Sequence, residues 1–115
     1  MNVLITGGAG FVGSNLINGL LNIPKIKITV IDNLSYGNLK NLKNVYNKIK
    51  FIRKDITKIN SSDFFISKID VIIHLAAIAP LPDNQIDPYE SMKNNVAGTA
   101  NMLEISRLLK IKKFI

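Results

Sequence analysis

The residues from Gly7 to Gly13 have the spacing of a phosphate-binding turn. Gly8, Gly10 and Gly13 satisfy the pattern G-x-G-x-x-G, and Gly7 lies three residues before Gly10. Glycines lack Cβ atoms, so the backbone can turn tightly and approach a ligand closely. A helix that starts directly after such a turn directs its free N–H groups and positive dipole end at the ligand. The pattern predicts a site for the pyrophosphate of a dinucleotide.

A single carboxylate, Asp32, is spaced to bind the adenosine ribose of such a dinucleotide. It ends the predicted strand 27–31, nineteen residues beyond Gly13, and dinucleotide-binding folds place a ribose-binding acid about 20 residues after the glycines. A 2′-phosphate about 4 Å away would cost on the order of 4 kcal/mol at an effective dielectric of 20. No arginine follows in the loop Asn33–Asn38, and Lys40 is the nearest cation. We therefore expect NAD rather than NADP.

Five segments are typical of β-strands, and helical segments separate them. The run Val71-Ile72-Ile73 is wholly apolar, as in a parallel strand covered on both faces. Right-handed crossovers between the strands predict an α/β fold, a three-layer Rossmann-type parallel sheet in the order 3-2-1-4-5. The ligand crevice is expected where the strand order reverses, between strands 1 and 4. The predicted strands are residues 3–5, 27–31, 50–53, 70–75 and 112–115.

Helices are expected after the glycine turn and before the last strand. Gly13, Ile17 and Leu20 share one face of the first helix, which ends before Pro24. Shorter helical segments are expected at 39–46 and 61–66. The long helix begins at residue 87, where an N-cap aspartate is followed by proline and then glutamate, and continues to about residue 109. We expect its buried stripe to consist of Met92, Val96, Ala100 and Leu103.

Two features at the end of strand 4 have more than one interpretation. The small residues Ala76 and Ala77 would let a cofactor lie against the backbone, although small residues also end buried strands that bind nothing. His74 is the only histidine, and we interpret it as a packed strand residue rather than a ligand or base. The loop from Ile78 to Gln85 contains two prolines and is expected to border a substrate site.

Length and composition predict one domain, residues 1–115. The chain is 47% hydrophobic but has no apolar run near the roughly 20 residues of a membrane span. We find no signal peptide and expect a cytoplasmic protein without membrane partners. Cysteine is absent, which excludes disulfides and thiolate metal sites, and a single histidine leaves no zinc motif. We therefore predict no metal.

The net charge of +7 raises the question of nucleic-acid binding. Seven of the fifteen basic residues lie between Lys40 and Lys58, with Asp55 as the only acid there. Single-strand binders interleave such charges with aromatic rings, whereas only Tyr46 and Phe51 lie near this run. We interpret it as a solvated basic face and predict no nucleic-acid partner.

Five motifs occur in register along essentially the whole chain. They are Thr6–Gly13, Asp32-Asn33-Leu34, Asp55-Ile56, His74–Ala77 and Asn95–Thr99. Together they resemble the extended short-chain dehydrogenase/reductases, and most closely their NAD-dependent sugar-nucleotide epimerases and dehydratases. The resemblance implies NAD as cofactor and, in a full-length form, a nucleotide-sugar substrate. Reaction type and sugar identity are not encoded in these motifs, so epimerase, dehydratase and decarboxylase all stay open.

The resemblance also implies residue roles. Asp55 and Ile56 should contact the adenine, residues 75–77 should line the path to the nicotinamide, and Asn94 should lie near the nicotinamide ribose. Three further residues, Asn95, Gly98 and Thr99, are implied to be structural. The complete predicted cofactor set is Gly7, Gly8, Gly10, Phe11, Val12, Asp32, Asn33, Asp55, Ile56, Leu75, Ala76, Ala77 and Asn94.

No catalytic residue is assigned to this chain. The family's serine or threonine is implied to follow strand 5, and its Tyr-x-x-x-Lys to lie on the next helix. Tyr36–Lys40 and Tyr89–Lys93 match that string, but the first follows strand 2 and the second precedes the Asn95 motif. We therefore expect an incomplete fold without the substrate-binding lobe, because the chain ends in strand 5.

Three functions follow as hypotheses: the NAD-binding part of a sugar-nucleotide epimerase or dehydratase, a stand-alone NAD-binding or sensing module, and a subunit that a second chain completes. Helices that would cover strands 4 and 5 are expected to be missing. Ile72, Phe114 and their neighbours should then be partly bare, and strand 5 should form an unprotected edge. We expect marginal stability or a homo-oligomer formed through this edge.

Overall fold

The computed structural model describes residues 1–64, 68–79 and 85–115. The chain alternates between strands and helices, and among the described residues no helix is long and apolar enough to cross a membrane. Short 3₁₀ turns occupy Leu39–Leu42, Tyr46–Lys48 and Ser61–Phe64, and a π-helical segment occupies Lys93–Gly98. The regular elements are β1 (Asn2–Thr6), α1 (Phe11–Leu20), β2 (Lys27–Asp32), β3 (Ile49–Arg53), β4 (Val71–His74), α2 (Pro88–Met92), α3 (Thr99–Leu108) and β5 (Lys113–Phe114).

All five strands form one parallel sheet in the order β3-β2-β1-β4-β5, which confirms the predicted topology. The central strand β1 pairs with β2 and β4, so that Ile5 lies between Val30 and Ile73. The strands β2 and β3 are added on one side of β1, and β4 and β5 are added on the other side. The direction of strand addition therefore reverses at β1. The carboxyl ends of β1 and β4 therefore face a shared crevice.

Alternate residues of β1 enter two separate cores, one on each face of the sheet. Val3 and Ile5 pack with Ile17 of α1. Leu4 points to the other face and packs with Met102 of α3. This alternation follows from the two-residue repeat of a strand, and it gives the expected three layers.

The buried face of the long helix differs from the prediction. Met92, Val96, Ala100 and Leu103 are all exposed, while Met102 and Ile105 are buried. The cause is Gly98, which lies directly on Ile56: a Cβ at Gly98 would be 2.5 Å from the Ile56 Cδ1 atom. Close approach at this small residue decides which face of the helix meets the sheet, so Met92, Val96 and Leu103 point outward.

The predicted single helix is interrupted by the π-helical segment Lys93–Gly98 between α2 and α3. At its end the Thr99 hydroxyl donates to the Asn95 carbonyl at 2.6 Å, the acceptor that the Thr99 N–H would use in an α-helix. That N–H bonds to Val96 instead. Side-chain bonds of this kind compete with the backbone ladder, and π-turns occur mostly at functional sites.

Partial exposure was predicted for Ile72 and its neighbours in strand 4, and this prediction is wrong for Ile72 itself. Ile72 is fully buried beneath α3, in the same core as Met102. Its neighbours Val71 and Ile73 point to the opposite face and are only half-buried, as the two-residue repeat requires. Phe114 is half-buried. The 3₁₀ turn Ser61–Phe64 replaces the start of the short helix predicted at 61–66.

Parts of two predictions fall outside the described residues. The end of the short helix predicted at 61–66 includes Ile66, and the two prolines of the loop 78–85 are Pro80 and Pro82. The sheet itself lies entirely within the described part of the chain. At its edge, β5 is extended by Ile115, whose N–H donates to the Ile72 carbonyl at 3.0 Å.

Candidate functional site

A cavity of about 200 Å³ lies at the carboxyl ends of the strands, where the crevice was predicted. Its walls come from the segments that follow β1, β2, β3 and β4, together with one face of α2 and the π-helical segment. Because these segments are far apart in sequence, only the sheet order brings them together. The lining residues are Gly7, Gly10, Ile31, Asp32, Asn33, Ser35, Tyr36, Gly37, Lys54, Asp55, Ile56, Thr57, Leu75, Ala76, Ala77, Ile78, Glu90, Lys93 and Asn94.

Most of the predicted cofactor residues line this cavity, and three do not. Gly8 is buried against the side chain of Val30. Phe11 and Val12 lie in the first turn of α1, with 82% and 62% of their surface exposed. A contact from Phe11 or Val12 to a ligand would therefore use the backbone N–H groups. The other ten residues of the predicted set all line the cavity.

Sequence reasoning missed lining residues from the loop after β2, the segment after β3 and the helix. Glu90, Lys93 and Asn94 have i, i+3, i+4 spacing, so they share one helix face. Since Asn94 was already in the predicted set, this spacing could have identified the other two. Ser35, Tyr36 and Gly37 carry no comparable signal, because irregular loops have no period.

The glycine turn fits tightly against the end of β4. Gly7 has a φ of +69°, and a Cβ on it would lie 2.7 Å from the backbone nitrogen of Ala76. A Cβ on Gly13 would lie 2.5 Å from the Gly7 carbonyl oxygen. Positive φ disfavours any residue with a side chain. Glycine at position 7 is therefore required both by conformation and by the neighbouring strand.

The first turn of α1 can bind an anion. Its N-cap residue is Gly10, so no side chain satisfies the free N–H groups, and no acidic residue lies in the first turn. The first backbone bond of the helix runs from Ser14 to Gly10. The N–H groups that precede it have no partner within the helix. Free donors and the positive dipole end suit a diphosphate.

Asp32 is buried at the end of β2, with 7% of its surface exposed. Its Oδ2 accepts the Ala9 N–H at 2.9 Å, and its Oδ1 accepts the Leu34 N–H at 2.8 Å. A carboxylate has about four acceptor positions, so each oxygen keeps one for a ligand in the cavity. Two hydroxyl groups on adjacent carbons match this pair of acceptors. Leu34 itself has a φ of +65°, which shows how tightly the loop turns around the carboxylate.

Asp55 lies beyond the end of β3, and hydrogen bonds fix its ionised carboxylate in place. Burial alone would raise its pKa. Hydrogen bonds from the Thr57 backbone and hydroxyl lower the pKa and outweigh burial, and Asn33 and Lys58 lower it further. The net pKa is below the ordinary value. The Thr57 N–H and hydroxyl donate at 2.8 and 2.7 Å. Asp55 therefore offers a fixed acceptor next to the apolar Ile56.

His74 connects β1, β4 and the helix through two threonines. Thr99 donates its hydroxyl proton to the Asn95 carbonyl, so at 3.0 Å it accepts from His74 Nε2–H. His74 Nδ1 must then accept from the Thr6 hydroxyl at 2.8 Å. The network assigns a neutral imidazole that carries its proton on Nε2. This structural role agrees with the interpretation of His74 as a packed strand residue.

Asn95 and Asn94 fix the loop that follows β4. The Asn95 side-chain amide exchanges two hydrogen bonds with the Ile78 backbone, at 2.8 and 3.0 Å. Asn94 lines the cavity and donates to the Asn95 side chain at 3.1 Å. The implied structural roles of Asn95, Gly98 and Thr99 match these contacts. Asn94 is the member of this group that faces the cavity.

Protonation of His74 is expected to destabilise the fold. Burial lowers the pKa of its imidazole, so the unfolded chain binds a proton more readily than the folded chain, and stability falls as the pH drops below the unfolded pKa of about 6.5. We predict that the free energy of unfolding, measured in urea, decreases between pH 7 and pH 5. Because His74 is the only histidine, His74→Gln should remove most of this slope. Equal slopes in both proteins would contradict the assignment.

Lys93, the last residue of the second Tyr-x-x-x-Lys string, forms an ion pair with Glu90. Its ammonium group donates to the Glu90 carboxylate at 3.0 Å, and this bond raises the Lys93 pKa. Tyr89 of the same string is 67% exposed. Tyr36 lies on the Asp32 side of the cavity, as its position after β2 predicted. Among the described residues, no three His, Cys, Asp or Glu side chains are grouped to hold a metal ion.

Comparison with known proteins gives a family match over nearly the whole chain. Residues 3–115 match the model of the NAD-dependent epimerase/dehydratase family. The chain is 38% identical over 109 residues to UDP-glucuronic acid decarboxylase 6 of Arabidopsis thaliana. That alignment covers 93% of this chain and 30% of the plant protein.

Solved structures agree with this match. A UDP-glucose 4-epimerase of Thermotoga maritima, solved with UDP-glucose, superposes with a TM-score of 0.90 at 32% identity. The UDP-glucose 4-epimerase of Thermus thermophilus, solved with NAD, superposes with a TM-score of 0.87 at 31% identity. Each superposition covers 99% of this chain and 36% of the other protein. The chain thus spans about a third of the length of these proteins.

Proposed function

Because the chain belongs to the NAD-dependent epimerase/dehydratase family, we propose that it is the NAD-binding part of an enzyme that converts one nucleotide-sugar into another. NAD is the cofactor of this family. One observation carries the proposal: the uncapped start of α1 and the Asp32 carboxylate, which keeps free acceptor positions, lie at the same crevice. The first suits a diphosphate and the second suits a ribose diol.

The residues present fit NAD in three regions. The N–H groups of the first turn of α1, including those of Phe11 and Val12, would bind the diphosphate, since Gly7 and Gly10 leave the backbone accessible. The Asp32 carboxylate would accept both hydroxyls of the adenosine ribose. Asn33 lines the cavity beside Asp32 and would border the same ribose.

The remaining predicted residues would place the two ring systems. Asp55 is ionised and held by Thr57, so it would accept a hydrogen bond from the adenine amino group while Ile56 packs against the ring. Leu75, Ala76 and Ala77 leave room for the cofactor to run along the end of β4. Asn94 would then contact the nicotinamide ribose with its side-chain amide, which is oriented by a hydrogen bond from its nitrogen to Asn95.

Bound NAD would supply a hydride acceptor for oxidation of the sugar. The chain's own contribution is to bind the cofactor, to orient it and to hold charge at fixed points of the cavity. We assign no proton transfer to a residue here, because Lys93 is paired with Glu90 and both ring nitrogens of His74 are hydrogen-bonded to threonines. We propose that the serine or threonine and the Tyr-x-x-x-Lys pair lie outside this chain, together with the substrate lobe.

Two alternative functions stay testable. A stand-alone NAD-binding or sensing module would bind NAD without catalysis, and a subunit completed by a second chain would acquire activity only in a complex. Gene sequence beyond Ile115 separates them from the main proposal. An in-frame continuation with a serine after β5 and then Tyr-x-x-x-Lys supports the enzyme, and a stop codon after Ile115 supports the alternatives. Such an enzyme would be an isomerase or a lyase, and this chain its truncated amino-terminal part.

Location and assembly are also proposals. We expect a cytoplasmic protein, because a chain without cysteine needs no oxidising compartment to fold. We expect self-association through β5, a two-residue strand at the sheet edge, where Ile115 is 64% exposed. Sedimentation of the protein at several concentrations tests this expectation, and a monomer at all of them would contradict it.

Calorimetric titration with NAD and NADP tests the proposed function directly. The expected result is saturable binding of NAD and at least tenfold weaker binding of NADP, because Asp32 repels a 2′-phosphate. A folded protein that binds neither dinucleotide would overturn the proposal. Equal affinities would retain a dinucleotide site but remove the role assigned to Asp32.

A further inference from the structure

The backbone of Ala9 is bound from two sides within the glycine turn. Ala9 is fully buried. Its N–H donates to Asp32, and its carbonyl accepts the Asn38 N–H at 3.0 Å and the Asn41 Nδ2 at 2.9 Å. The segment from Gly37 to Asn41, which we call the clasp, therefore binds the turn through the Ala9 carbonyl, whereas Asp32 binds it through the Ala9 N–H.

The clasp also contacts the carboxylate itself. A Cβ on Gly37 would lie 2.8 Å from both carboxylate oxygens of Asp32 and 2.9 Å from the Ala9 Cβ. The Gly37 backbone thus lies directly against the Asp32 carboxylate and against Ala9, the two residues that the hydrogen bond from the Ala9 N–H joins. One segment is in contact with both halves of the cofactor site.

The Asn41 side chain is held in place by its own local structure. The Asn38 side chain caps the 3₁₀ turn by accepting the Lys40 N–H at 2.9 Å, and the Asn41 N–H donates to the Asn38 carbonyl at 3.0 Å. Leu42, the next residue, is fully buried in the core. The turn is thereby anchored at both ends, and the Asn41 amide is aimed at the Ala9 carbonyl.

We propose that Asn41 is a positioning residue for the cofactor. It does not line the cavity, and it acts by fixing the glycine turn, which binds the diphosphate, at a set distance from Asp32, which binds the ribose. The inference rests on the proposed function. A ligand that spans both halves of the site depends on that distance, whereas a ligand that reaches only Asp32 does not.

Binding of ADP and of adenosine to the protein separates these two cases. ADP contacts both the turn and Asp32, while adenosine lacks the phosphates. We expect Asn41→Ala to weaken ADP binding about tenfold and to change adenosine binding less than twofold. A tenfold change in affinity corresponds to the net free energy of about one hydrogen bond. Asn44→Ala is the matched control, because Asn44 is an exposed asparagine three residues away that does not line the cavity.

Asn41→Leu provides a second variant of similar shape that lacks the donor, and the same pattern is expected. Melting temperatures measured without ligand show whether each variant is folded. An unchanged ADP affinity in either folded variant overturns the proposal. Equal losses for ADP and adenosine also overturn it, because they indicate general loosening of the fold. If the wild-type protein binds neither ligand, the proposed function itself fails, and the positioning role fails with it.

Discussion

Replacing Asp32 with alanine is expected to weaken NAD binding more than a hundredfold and to remove the preference for NAD over NADP. Each hydrogen bond from a ribose hydroxyl to the carboxylate is worth about 1.5–3 kcal/mol, and two of them exceed the roughly 2.7 kcal/mol of a hundredfold change. Removing the negative charge also removes its repulsion of a 2′-phosphate. Calorimetric titration with both dinucleotides measures the two effects together.

A loss of folding must be separated from a loss of ribose contacts, because Asp32 also accepts the N–H groups of Ala9 and Leu34. Asp32→Asn keeps the shape but carries no charge, so it should lose the NAD preference; because its amide nitrogen replaces one oxygen that accepts a backbone N–H, its melting temperature without ligand is measured to show that it is folded. Glu104→Ala is the control, since Glu104 pairs with Arg107 on the exposed side of α3. If folded Asp32→Ala keeps wild-type NAD affinity, the ribose site has been placed wrongly.

Replacing Gly7 with alanine is expected to destabilise the fold by about 3 kcal/mol or more. The left-handed conformation at Gly7 costs about 1–2 kcal/mol for any other residue. Overpacking against the Ala76 and Leu75 backbone costs about 1–3 kcal/mol more, because neither atom group can move without disturbing the pairing of β1 with β4. Urea unfolding followed by circular dichroism measures the loss.

Gly19→Ala is the matched control for this prediction. Gly19 lies in α1, and a Cβ there would meet nothing within 4 Å. Alanine is a better helix former than glycine by about 0.8–1 kcal/mol, so the control should be neutral or slightly more stable than the wild type. Equal urea midpoints for Gly7→Ala and the wild type would show that the glycine turn does not have the described conformation.

Most residues that line the cavity could be predicted, because many of them follow strands of apolar pattern. Asp32 and Asp55 come directly after such strands, and parallel strands end at one edge of the sheet. Glu90 and Lys93 were missed although they lie on the same helix face as Asn94. The clasp residue Asn41 was missed for a different reason: its role depends on the Ala9 carbonyl, which is 32 residues away in sequence.

The two errors in the prediction have different physical causes. In the long helix, apolar residues were taken to face the core, yet Met92 and Val96 point outward and Gly98 faces Ile56. Hydrophobic size gives the tendency of a residue to be buried, but closeness of approach decides which helix face is chosen. In strand 4, Ile72 was expected to be partly bare because covering helices were expected to be missing, whereas α3 covers it.

By itself the sequence predicted the strand order, the glycine turn and the family, and it predicted that Asp32 ends the second strand, because these depend on local periodicity and on residue spacing along the chain. Only the tertiary structure decided which helix face is buried and that Asn41 and Asp32 bind the Ala9 backbone from two elements. Those features depend on distances between atoms that are far apart in sequence. Such distances are set by packing of the whole sheet and its helices, and no local pattern contains them.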